Sequence, residues 1–442
     1  MLTPQRISAR EGESLQRRAA GALLARGLAP AERVVIVART SPAMFSAVLG
    51  ALRVGIVPVL LSPELLAEEQ EGLIGDADPS LILRDDDVER LVSEGRPADL
   101  APFPLSRPMH FTSGTTGRPK AVWSGMFDEA SARGLIMEER ELWGFDSSDA
   151  NLVCSPLHHS APLRFAMGTL LAGGDVILLP RFDAETVVDV LATQAPTSMF
   201  CVPTHLQRIF ALGSIPEVSS LRLVAHAGAP ISKPLKLRAI EEFPKDTVWE
   251  FYGSTEGQFT NCSSSEWLEH PGTVGRARPY RSLSIDDDGI IWCEVPSYAR
   301  FEYWRDPEKT RAAWRNGSFT VGDIGRLDDG GYLFLDGRRD DLIITGGVNV
   351  YPMEVELVIQ QLDGVTSAAV FGVDDEQWGQ RVCAAVVGNV TAREVTAHCR
   401  AHLAGFKRPK DVYIVEELPF TPTGKIRRST LAEDLGLIKA TA

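Results

Sequence analysis

The 442-residue sequence lacks several features that mark common protein classes. Its six cysteines include no CxxC pair and no metal-type spacing, so we expect reduced thiols and neither a disulfide framework nor a zinc site. Basic charge is not in excess, and the formal net charge of −14 argues against sequence-independent binding to nucleic acid. The N-terminal segment has no apolar core, and apolar runs elsewhere are cut by charge well short of a membrane span. These absences predict a cytoplasmic protein without a membrane-spanning helix.

The first part of the chain alternates between strand-like and helix-like patterns. The apolar run 33–38 (RVVIVA) is typical of a buried strand and follows a helical pattern at 13–27. The same alternation recurs at 175–179, 186–194 and 198–202. It predicts right-handed βαβ units and doubly wound parallel sheets.

The pattern changes from about Ile285 to alternating strands around Asp-Gly and Gly-Gly turns, which predicts antiparallel hairpins. A smaller unit follows Asp340, with two helices and two strands predicted between residues 352 and 402. The sequence therefore predicts a domain boundary near 337–341.

The most informative motif is the segment FTSGTTGRPK at 111–120. Its glycines, hydroxyl residues and lysine make a loop rich in hydrogen-bond donors, which can bind a polyphosphate while Lys120 adds positive charge. The segment does not fit the Walker A pattern GxxxxGK[ST]. A bare Gly/Ser/Thr stretch is more often an ordinary surface loop, so the specificity of this motif rests on the full string.

The full string resembles the phosphate-binding signature of the adenylate-forming (AMP-binding) superfamily, which includes acyl-CoA synthetases, peptide-synthetase adenylation domains and beetle luciferases. Further segments match that superfamily's signatures in the same order: 226–230 (HAGAP), 251–257 (FYGSTEG), 322–323 (GD), 337–341 (GRRDD) and 422–425 (PTGK). The resemblance covers essentially the whole chain and favours the acyl-CoA synthetase and aryl-CoA ligase branch, similar to 4-chlorobenzoate:CoA ligase.

The resemblance implies an α/β fold in two domains. Residues 1–339 would form a large AMP-binding domain of two doubly wound α/β sheets plus an antiparallel β-barrel. Residues 340–442 would form a small mobile α+β domain that rotates about a hinge at Asp340 between two half-reactions. Pairing of Asp340 with Arg338 or Arg339 is compatible with that role.

The resemblance also implies an ATP site with Mg²⁺. Tyr252 would stack on the adenine opposite the Gly228–Pro230 wall, Glu256 would hold Mg²⁺, and Asp323 would accept the ribose hydroxyls with help from Arg338. Each residue alone is more often part of a turn or a surface pair, and the ordered set carries the assignment. The residues expected to bind ATP are Thr112, Ser113, Gly114, Thr115, Thr116, Gly117, Lys120, Gly228, Ala229, Pro230, Tyr252, Gly253, Thr255, Asp323 and Arg338.

Lys425, in the segment PFTPTGKIRR, is the expected principal catalytic residue. Forming an acyl-AMP brings a carboxylate against an anionic α-phosphate, and a lysine that reaches both groups offsets their repulsion. His159, Thr255 and Glu256 complete the expected catalytic set, with Thr255 donating to the α-phosphate and His159 orienting the carboxylate. Taken alone, a lysine in a Gly-Lys turn is normally a solvated side chain.

The residues do not decide whether the acyl group passes to coenzyme A or to a carrier protein. By resemblance, coenzyme A would be bound by Gly346, Gly347, Trp378, Phe406, Arg408 and Lys410, since glycines let a pantetheine arm pass and cations meet phosphates. The competing class is an adenylation enzyme that loads a carrier protein. A luciferase-type oxygenase has no positive support, and a non-enzymatic AMP sensor does not fit the full set of reactive residues.

The acid is expected to be a plain carboxylic acid, of fatty, alicyclic or aryl type, because no aspartate occupies the stretch near His159 where amino-acid-activating domains place a partner for the α-amino group. Arg164 would meet a polar group on the acid or face solvent. The partners implied are this acid, ATP and coenzyme A, with a homodimer left open. The expected acid pocket is formed by His159, Ser160, Phe165, Cys201, Val202, Thr204, Gly228 and Gly253.

Overall fold

The computed structural model of the chain describes residues 2–112, 119–338, 341–419, 426 and 428–437. The first elements are β1 (Gln5–Ile7), α1 (Ala9–Ala25), β2 (Arg33–Val37), α2 (Pro42–Arg53), β3 (Val57–Leu61), α3 (Ala67–Ala77), β4 (Leu81–Arg84) and α4 (Asp85–Glu94). Strands β2, β3 and β4 form a parallel sheet in the order β3-β2-β4. Helix α2 begins at a Ser41 cap with Pro42 in its first turn, and its buried apolar residues pack against α1 and α4, with Gly50 close to the α1 backbone.

A mixed eight-stranded sheet is the largest element of the fold. Strands β8, β7, β9, β10 and β11 are parallel, and antiparallel strands close both edges in the order β1-β8-β7-β9-β10-β11-β12-β13. The predicted alternation of strands and helices is therefore confirmed, although the sheet is mixed and not wholly parallel. The elements in this part are β5 (His110–Thr112), β6 (Lys120–Trp123), α5 (Glu129–Trp143), β7 (Ala150–Val153), α6 (Ser160–Leu171), β8 (Asp175–Leu178), α7 (Ala184–Thr193), β9 (Ser198–Cys201), α8 (Pro203–Phe210), β10 (Leu223–His226), α9 (Lys233–Glu242), β11 (Val248–Glu250), β12 (Thr260–Ser263), α10 (Ser264–Glu269) and β13 (Arg276–Ala277).

Antiparallel strands follow, as the turn signals predict. They are β14 (Ser282–Ile285), β15 (Ile291–Glu294), β16 (Glu302–Tyr303), then α11 (Pro307–Ala313), β17 (Trp314–Arg315), β18 (Ser318–Phe319), β19 (Asp323–Leu327) and β20 (Leu333–Arg338). The β14–β15 and β19–β20 hairpins confirm the predicted pairing. Strands β14, β15, β18 and β17 form one sheet, which an isolated Ile290–Ile324 bridge links to β19. Closure of these strands into a barrel stays a prediction.

The last part of the chain is an α+β unit: β21 (Ile343–Thr345), β22 (Val348–Val350), α12 (Pro352–Ile359), β23 (Val365–Asp375), β24 (Gly379–Gly388), α13 (Ala392–His402), β25 (Asp411–Ile414) and α14 (Arg428–Asp434). The alternating side chains of the long β23–β24 hairpin serve two cores, one under α12 and α13 and one under α14.

All six cysteines are buried and free. Within the described ranges, no helix is both long and apolar enough to cross a lipid bilayer.

Candidate active site

The β5–β6 hairpin holds the two ends of the predicted phosphate loop together. Thr112 pairs with Lys120 across the hairpin, and the Thr112 hydroxyl donates to the Lys120 carbonyl at 3.3 Å. Lys120 Nζ lies 2.9 Å from Asp306 Oδ2, so its charge has a carboxylate partner. The loop residues Ser113, Gly114, Thr115, Thr116 and Gly117 lie outside the described residues.

Two further predicted segments leave the same edge of the large sheet. His226, the last residue of β10, pairs in parallel register with Glu250, the last residue of β11. The segments 227–230 and 251–257 therefore both start at the carboxyl ends of parallel strands, where ligands bind in open α/β sheets. Gly253 lies so close to Gly257 and Gln258 that a Cβ atom would come within 2.9 Å of the Gly257 carbonyl.

A buried triad that the sequence did not reveal ties these strand ends to α9. Lys236 Nζ donates to His226 Nε2 at 2.6 Å and to Glu250 Oε2 at 3.1 Å. Lys236 and His226 have no exposed surface, and burial together with the Lys236 charge holds the pKa of His226 well below its usual range. His226 is therefore neutral, and its Nε2 accepts a hydrogen bond from the Lys236 ammonium group.

Tyr252, Asp323 and Arg338 form one hydrogen-bonded group. The Tyr252 hydroxyl donates to Asp323 Oδ2 at 2.5 Å, and Arg338 Nε donates to Asp323 Oδ1 at 2.9 Å. Burial and the Asp323 carboxylate raise the pKa of Tyr252, while the same carboxylate raises the pKa of Arg338. The group unites three predicted nucleotide residues and orients both oxygens of the carboxylate expected to bind ribose.

Thr255 and Glu256 are held by residues far away in sequence. Glu256 Oε1 accepts a hydrogen bond from the Tyr303 hydroxyl at 2.9 Å, and the Thr255 carbonyl accepts one from Arg107 Nη2 at 3.2 Å. Glu256 is buried. A single carboxylate can bind Mg²⁺ when phosphate oxygens and water molecules complete the coordination shell of the ion. Within the described residues, no group of three or more His, Cys, Asp or Glu side chains could hold a metal by itself.

Three histidines lie next to the phosphate hairpin. His110 Nδ1 donates to the His158 carbonyl at 3.0 Å, and the rings of His158 and His159 are 4.4 Å apart. Burial, reinforced by the neighbouring His159, lowers the pKa values of His110 and His158 to about 3. His159 lies directly before α6, and the neighbouring His158 is hydrogen-bonded to His110 of β5. The predicted mouth of the acid pocket therefore adjoins the phosphate-binding hairpin.

The predicted lining of the acid pocket divides into two groups. Ser160, Val202 and Thr204 retain exposed surface, whereas Phe165 and Cys201 have none. Phe165 packs among Trp143, Phe200 and Phe251, and Cys201 belongs to the core beneath β9. This burial does not support direct contact of Phe165 or Cys201 with a bound acid.

The sequence left two alternatives for Arg164, contact with the acid or exposure to solvent, and the structure excludes exposure to solvent. Its Nε lies 3.1 Å from Glu139 Oε2, and its guanidinium carbon lies 5.2 Å from the centre of the Phe251 ring. The side chain therefore points inward from α6, behind the segment that carries Tyr252 and Gly253.

Several of the expected coenzyme A residues come together in the C-terminal unit. Gly346 has a positive φ of 58°, and a Cβ on it would lie 3.2 Å from the Trp378 ring. Lys410 Nζ lies 4.8 Å from the centre of that ring. Phe406 is exposed, but Arg408 Nε donates to the Leu403 carbonyl at 2.8 Å and so is partly used within the fold. Gly347 also has a positive φ, of 77°.

Lys425 and Asp340 lie outside the described residues. Their neighbours are joined by Arg428, which makes a two-pronged contact with the buried Glu356 and donates to Asp341 Oδ2 at 3.1 Å. Arg428 therefore links the segments that follow the predicted lysine and the predicted hinge.

The comparisons with known proteins identify the family. The family model described as "AMP-binding enzyme" matches residues 2–103 and 108–290, and "AMP-binding enzyme C-terminal domain" matches 354–425. The 2-succinylbenzoate–CoA ligase of Listeria monocytogenes is 31% identical, over 94% of this chain and 91% of the relative. The long-chain-fatty-acid–CoA ligase FadD13 of Mycobacterium tuberculosis is 30% identical, over 98% and 93%.

A solved structure agrees with these relatives. The o-succinylbenzoate CoA synthetase (MenE) from Bacillus subtilis, in complex with the acyl-adenylate intermediate OSB-AMP, has a TM-score of 0.86 and 26% identity, over 98% of this chain and 93% of that chain. The same enzyme is also known in complex with ATP and a magnesium ion. The chain belongs to the AMP-binding enzyme family, and its α/β fold is that of adenylate-forming enzymes.

Proposed function

We propose that this protein is an ATP-dependent carboxylic acid:CoA ligase, which activates an acid as acyl-AMP and then forms an acyl-CoA. The observation that carries the proposal is that Tyr252, Asp323 and Arg338 form one hydrogen-bonded group, while Glu256 is hydrogen-bonded to Tyr303 of β16, the strand that pairs with β6 of the phosphate hairpin. The relatives named as CoA ligases, which the chain matches over nearly its full length, support the same reaction.

In the adenylation step, the protein would orient the nucleotide and offset charge. Asp323 would hold the ribose, and Tyr252 would lie against the adenine with the Gly228–Pro230 segment opposite. Glu256 would be the protein ligand of Mg²⁺, which supplies positive charge to the phosphate oxygens. The acid carboxylate would lie between His159 and Thr255, at the mouth next to the phosphate hairpin.

Lys425 is proposed as the lysine that contacts both the acid and the α-phosphate. Arg428, three residues later, would position it through Glu356 and Asp341. Rotation of the domain 340–442 about Asp340 would then remove the lysine and bring the face with Gly346 and Gly347 to the acyl-AMP.

Coenzyme A is the proposed acceptor. The surface formed by Gly346, Trp378 and Lys410 combines a close backbone approach, an aromatic face and a cation, which suits pantetheine and phosphate. A carrier protein as acceptor, a homodimer, a closed barrel and a cytoplasmic location stay predictions.

The acid class is open between the two kinds of substrate that the relatives' names give. A long-chain fatty acid has one carboxylate and a long apolar chain, whereas 2-succinylbenzoate has two carboxylates and a ring.

Pyrophosphate release tests the proposal. The purified protein would be incubated with ATP, Mg²⁺ and a panel of aryl, alicyclic, fatty and dicarboxylic acids, each with and without coenzyme A. We expect multiple turnovers that require coenzyme A and yield an acyl-CoA. A single-turnover burst that coenzyme A does not relieve would instead support a carrier protein, and no release with any acid would contradict the ligase assignment.

A further inference from the structure

The corner between β16 and α11 lies against the phosphate hairpin. Tyr303 of β16 pairs in antiparallel register with Val122 of β6, two residues after Lys120. Asp306, which caps α11, has its Oδ2 at 2.9 Å from Lys120 Nζ. The Lys120 ammonium and the Lys309 backbone N–H hold the pKa of Asp306 below its usual range, so Asp306 is an ionised partner of the phosphate lysine.

The Tyr303 side chain reaches from this corner to the segment 251–257. Its hydroxyl donates to Glu256 Oε1 at 2.9 Å, and both residues are 6% exposed. A carboxylate has two oxygens with about four acceptor positions, so one hydrogen bond leaves it able to bind a cation. Tyr303 thus joins the expected Mg²⁺ ligand to the hairpin that holds the ends of the expected phosphate loop.

The Tyr303 ring is fixed by its surroundings. It belongs to the core of the antiparallel strands, where the Phe301 ring meets it edge-on with 5.4 Å between the ring centres. The Tyr303 N–H donates to Thr310 Oγ1 at 2.9 Å, and the Trp304 N–H donates to the Ala121 carbonyl at 2.9 Å. Packing and backbone bonds therefore hold the hydroxyl at one place in the site.

The Glu256 side chain, in contrast, extends from a tight turn. The Ser254 N–H donates to the Gly257 carbonyl at 2.8 Å, and an isolated bridge joins Gly253 to Gln258. These bonds fix the backbone of the turn, but the orientation of the glutamate carboxylate depends on its side-chain contacts. A carboxylate that is already oriented loses less conformational freedom when it binds a cation.

We propose that Tyr303 is a positioning residue that orients Glu256 for Mg²⁺ and thereby supports the binding of Mg·ATP. The inference rests on the proposed ligase function, in which Glu256 is the protein ligand of Mg²⁺. Hydrogen-bond partners orient the carboxylates that bind metals, and loss of such a partner typically lowers metal affinity or activity about 10- to 100-fold. AMP lacks the β- and γ-phosphates that share the cation, so its binding should not depend on Tyr303.

The Tyr303→Phe variant tests the inference, because it removes the hydroxyl and keeps the ring in the core. Calorimetric titrations would be made with ATP in the presence of Mg²⁺ and with AMP in the presence of EDTA, without an acid, so that no turnover occurs. We expect the Kd of Mg·ATP to rise about 10- to 100-fold in the variant. The Kd of AMP should stay that of the unchanged protein.

A double variant shows whether Tyr303 acts through Glu256. Glu256→Gln removes the charge that binds Mg²⁺, so it should weaken Mg·ATP by itself. Adding Tyr303→Phe to Glu256→Gln should cause little further loss, because residues that act on one interaction have non-additive effects.

The matched control is Tyr298→Phe. The Tyr298 hydroxyl donates to Glu138 Oε2 at 3.0 Å, so this variant loses the same kind of tyrosine–glutamate hydrogen bond at a carboxylate that is not expected to bind Mg²⁺. Both dissociation constants should stay unchanged in it. Thermal unfolding of each variant shows that it is folded at the temperature of the titrations.

Equal weakening of Mg·ATP and AMP in Tyr303→Phe would overturn the inference, since it would make the effect structural. An unchanged Kd of Mg·ATP would also overturn it, as would losses that add in the double variant. If the titrations give the expected pattern but no acid leads to pyrophosphate release, the ligase assignment fails and the role of Tyr303 stands.

Discussion

The Lys236→Met substitution tests how the nucleotide site is supported. Lys236 is fully buried and bridges the last residues of β10 and β11, at 2.6 Å from His226 and 3.1 Å from Glu250. Methionine fills a similar volume without a charge. The change leaves the carboxylate of Glu250, which is 7% exposed, without its cation, and His226 Nε2 without its donor.

The expected cost is that of breaking a buried ion pair from one side, about 3–5 kcal/mol. For a domain of this size, each kcal/mol lowers the melting temperature by about 2–4 °C, so we expect a decrease of about 10 °C. Binding of AMP should also weaken, because the segments 227–230 and 251–257 start at the two strand ends that Lys236 joins.

Thermal unfolding and calorimetric titration with AMP measure both effects. Lys233→Met is the matched control, since Lys233 lies on the same helix but is exposed, and it should change neither quantity appreciably. Adding Glu250→Gln to Lys236→Met should recover part of the lost stability, because it removes the uncompensated charge. A melting temperature of Lys236→Met within 2 °C of the unchanged protein would refute the reasoning, as would a double variant less stable by the sum of both single losses.

Three further predictions concern the hydrogen-bonded groups and the lysine. Because the pKa values of His110 and His158 are lowered to about 3, the unfolded chain binds more protons below pH 6.5, so stability should be full above that pH and fall as pH decreases toward 3. The loss is up to about 1.4 kcal/mol per pH unit for each histidine, and melting curves of the protein and of His110→Gln between pH 7 and pH 5 should show a shallower slope in the variant. Tyr252→Phe should weaken AMP binding about 3- to 30-fold by freeing one oxygen of Asp323 from its hydroxyl donor, and an unchanged dissociation constant in a calorimetric titration would contradict this. Lys425→Ala should reduce adenylation about 100- to 1000-fold while thioesterification of supplied acyl-AMP continues, and equal loss of both half-reactions in single-turnover assays would contradict the proposed role.

The sequence was sufficient to locate the elements that carry the site. Strands such as 33–37 and 198–201 are buried apolar runs between helical patterns, so their periodicity predicts them directly. Two signature segments then follow β10 and β11, where a parallel sheet exposes its loops, and a third follows β5 in an antiparallel hairpin. Local patterns and short motifs determine these features, and they require no knowledge of long-range contacts.

The partners of the site residues could not be predicted in the same way. Thr255 meets Arg107 across 148 residues of sequence, and Glu256 meets Tyr303 across 47. No spacing rule relates such pairs, because the packing of separate sheets brings them together. The same reason explains why Lys120 was expected to be available to phosphate, whereas Asp306 lies 2.9 Å from it.

The sequence also could not predict which of the expected pocket residues are buried in the core. An apolar residue at position 165 of α6 could line a pocket or belong to the core. Phe165 belongs to the core, because it packs against the rings of Trp143, Phe200 and Phe251. Arg164, the preceding residue on the helix, has a charged side chain that favours the surface, yet it lies inward against Glu139 of α5.

Transfer of oxygen from the acid tests the central claim most directly. The protein would be supplied with ATP, Mg²⁺, coenzyme A and an acid labelled with ¹⁸O in both carboxylate oxygens, and the products would be analysed by mass spectrometry. If the acid attacks the α-phosphate to form an acyl-AMP, one labelled oxygen appears in AMP and the other stays in the acyl-CoA. Label in phosphate or pyrophosphate, or AMP without label beside a labelled acyl-CoA, would contradict the account.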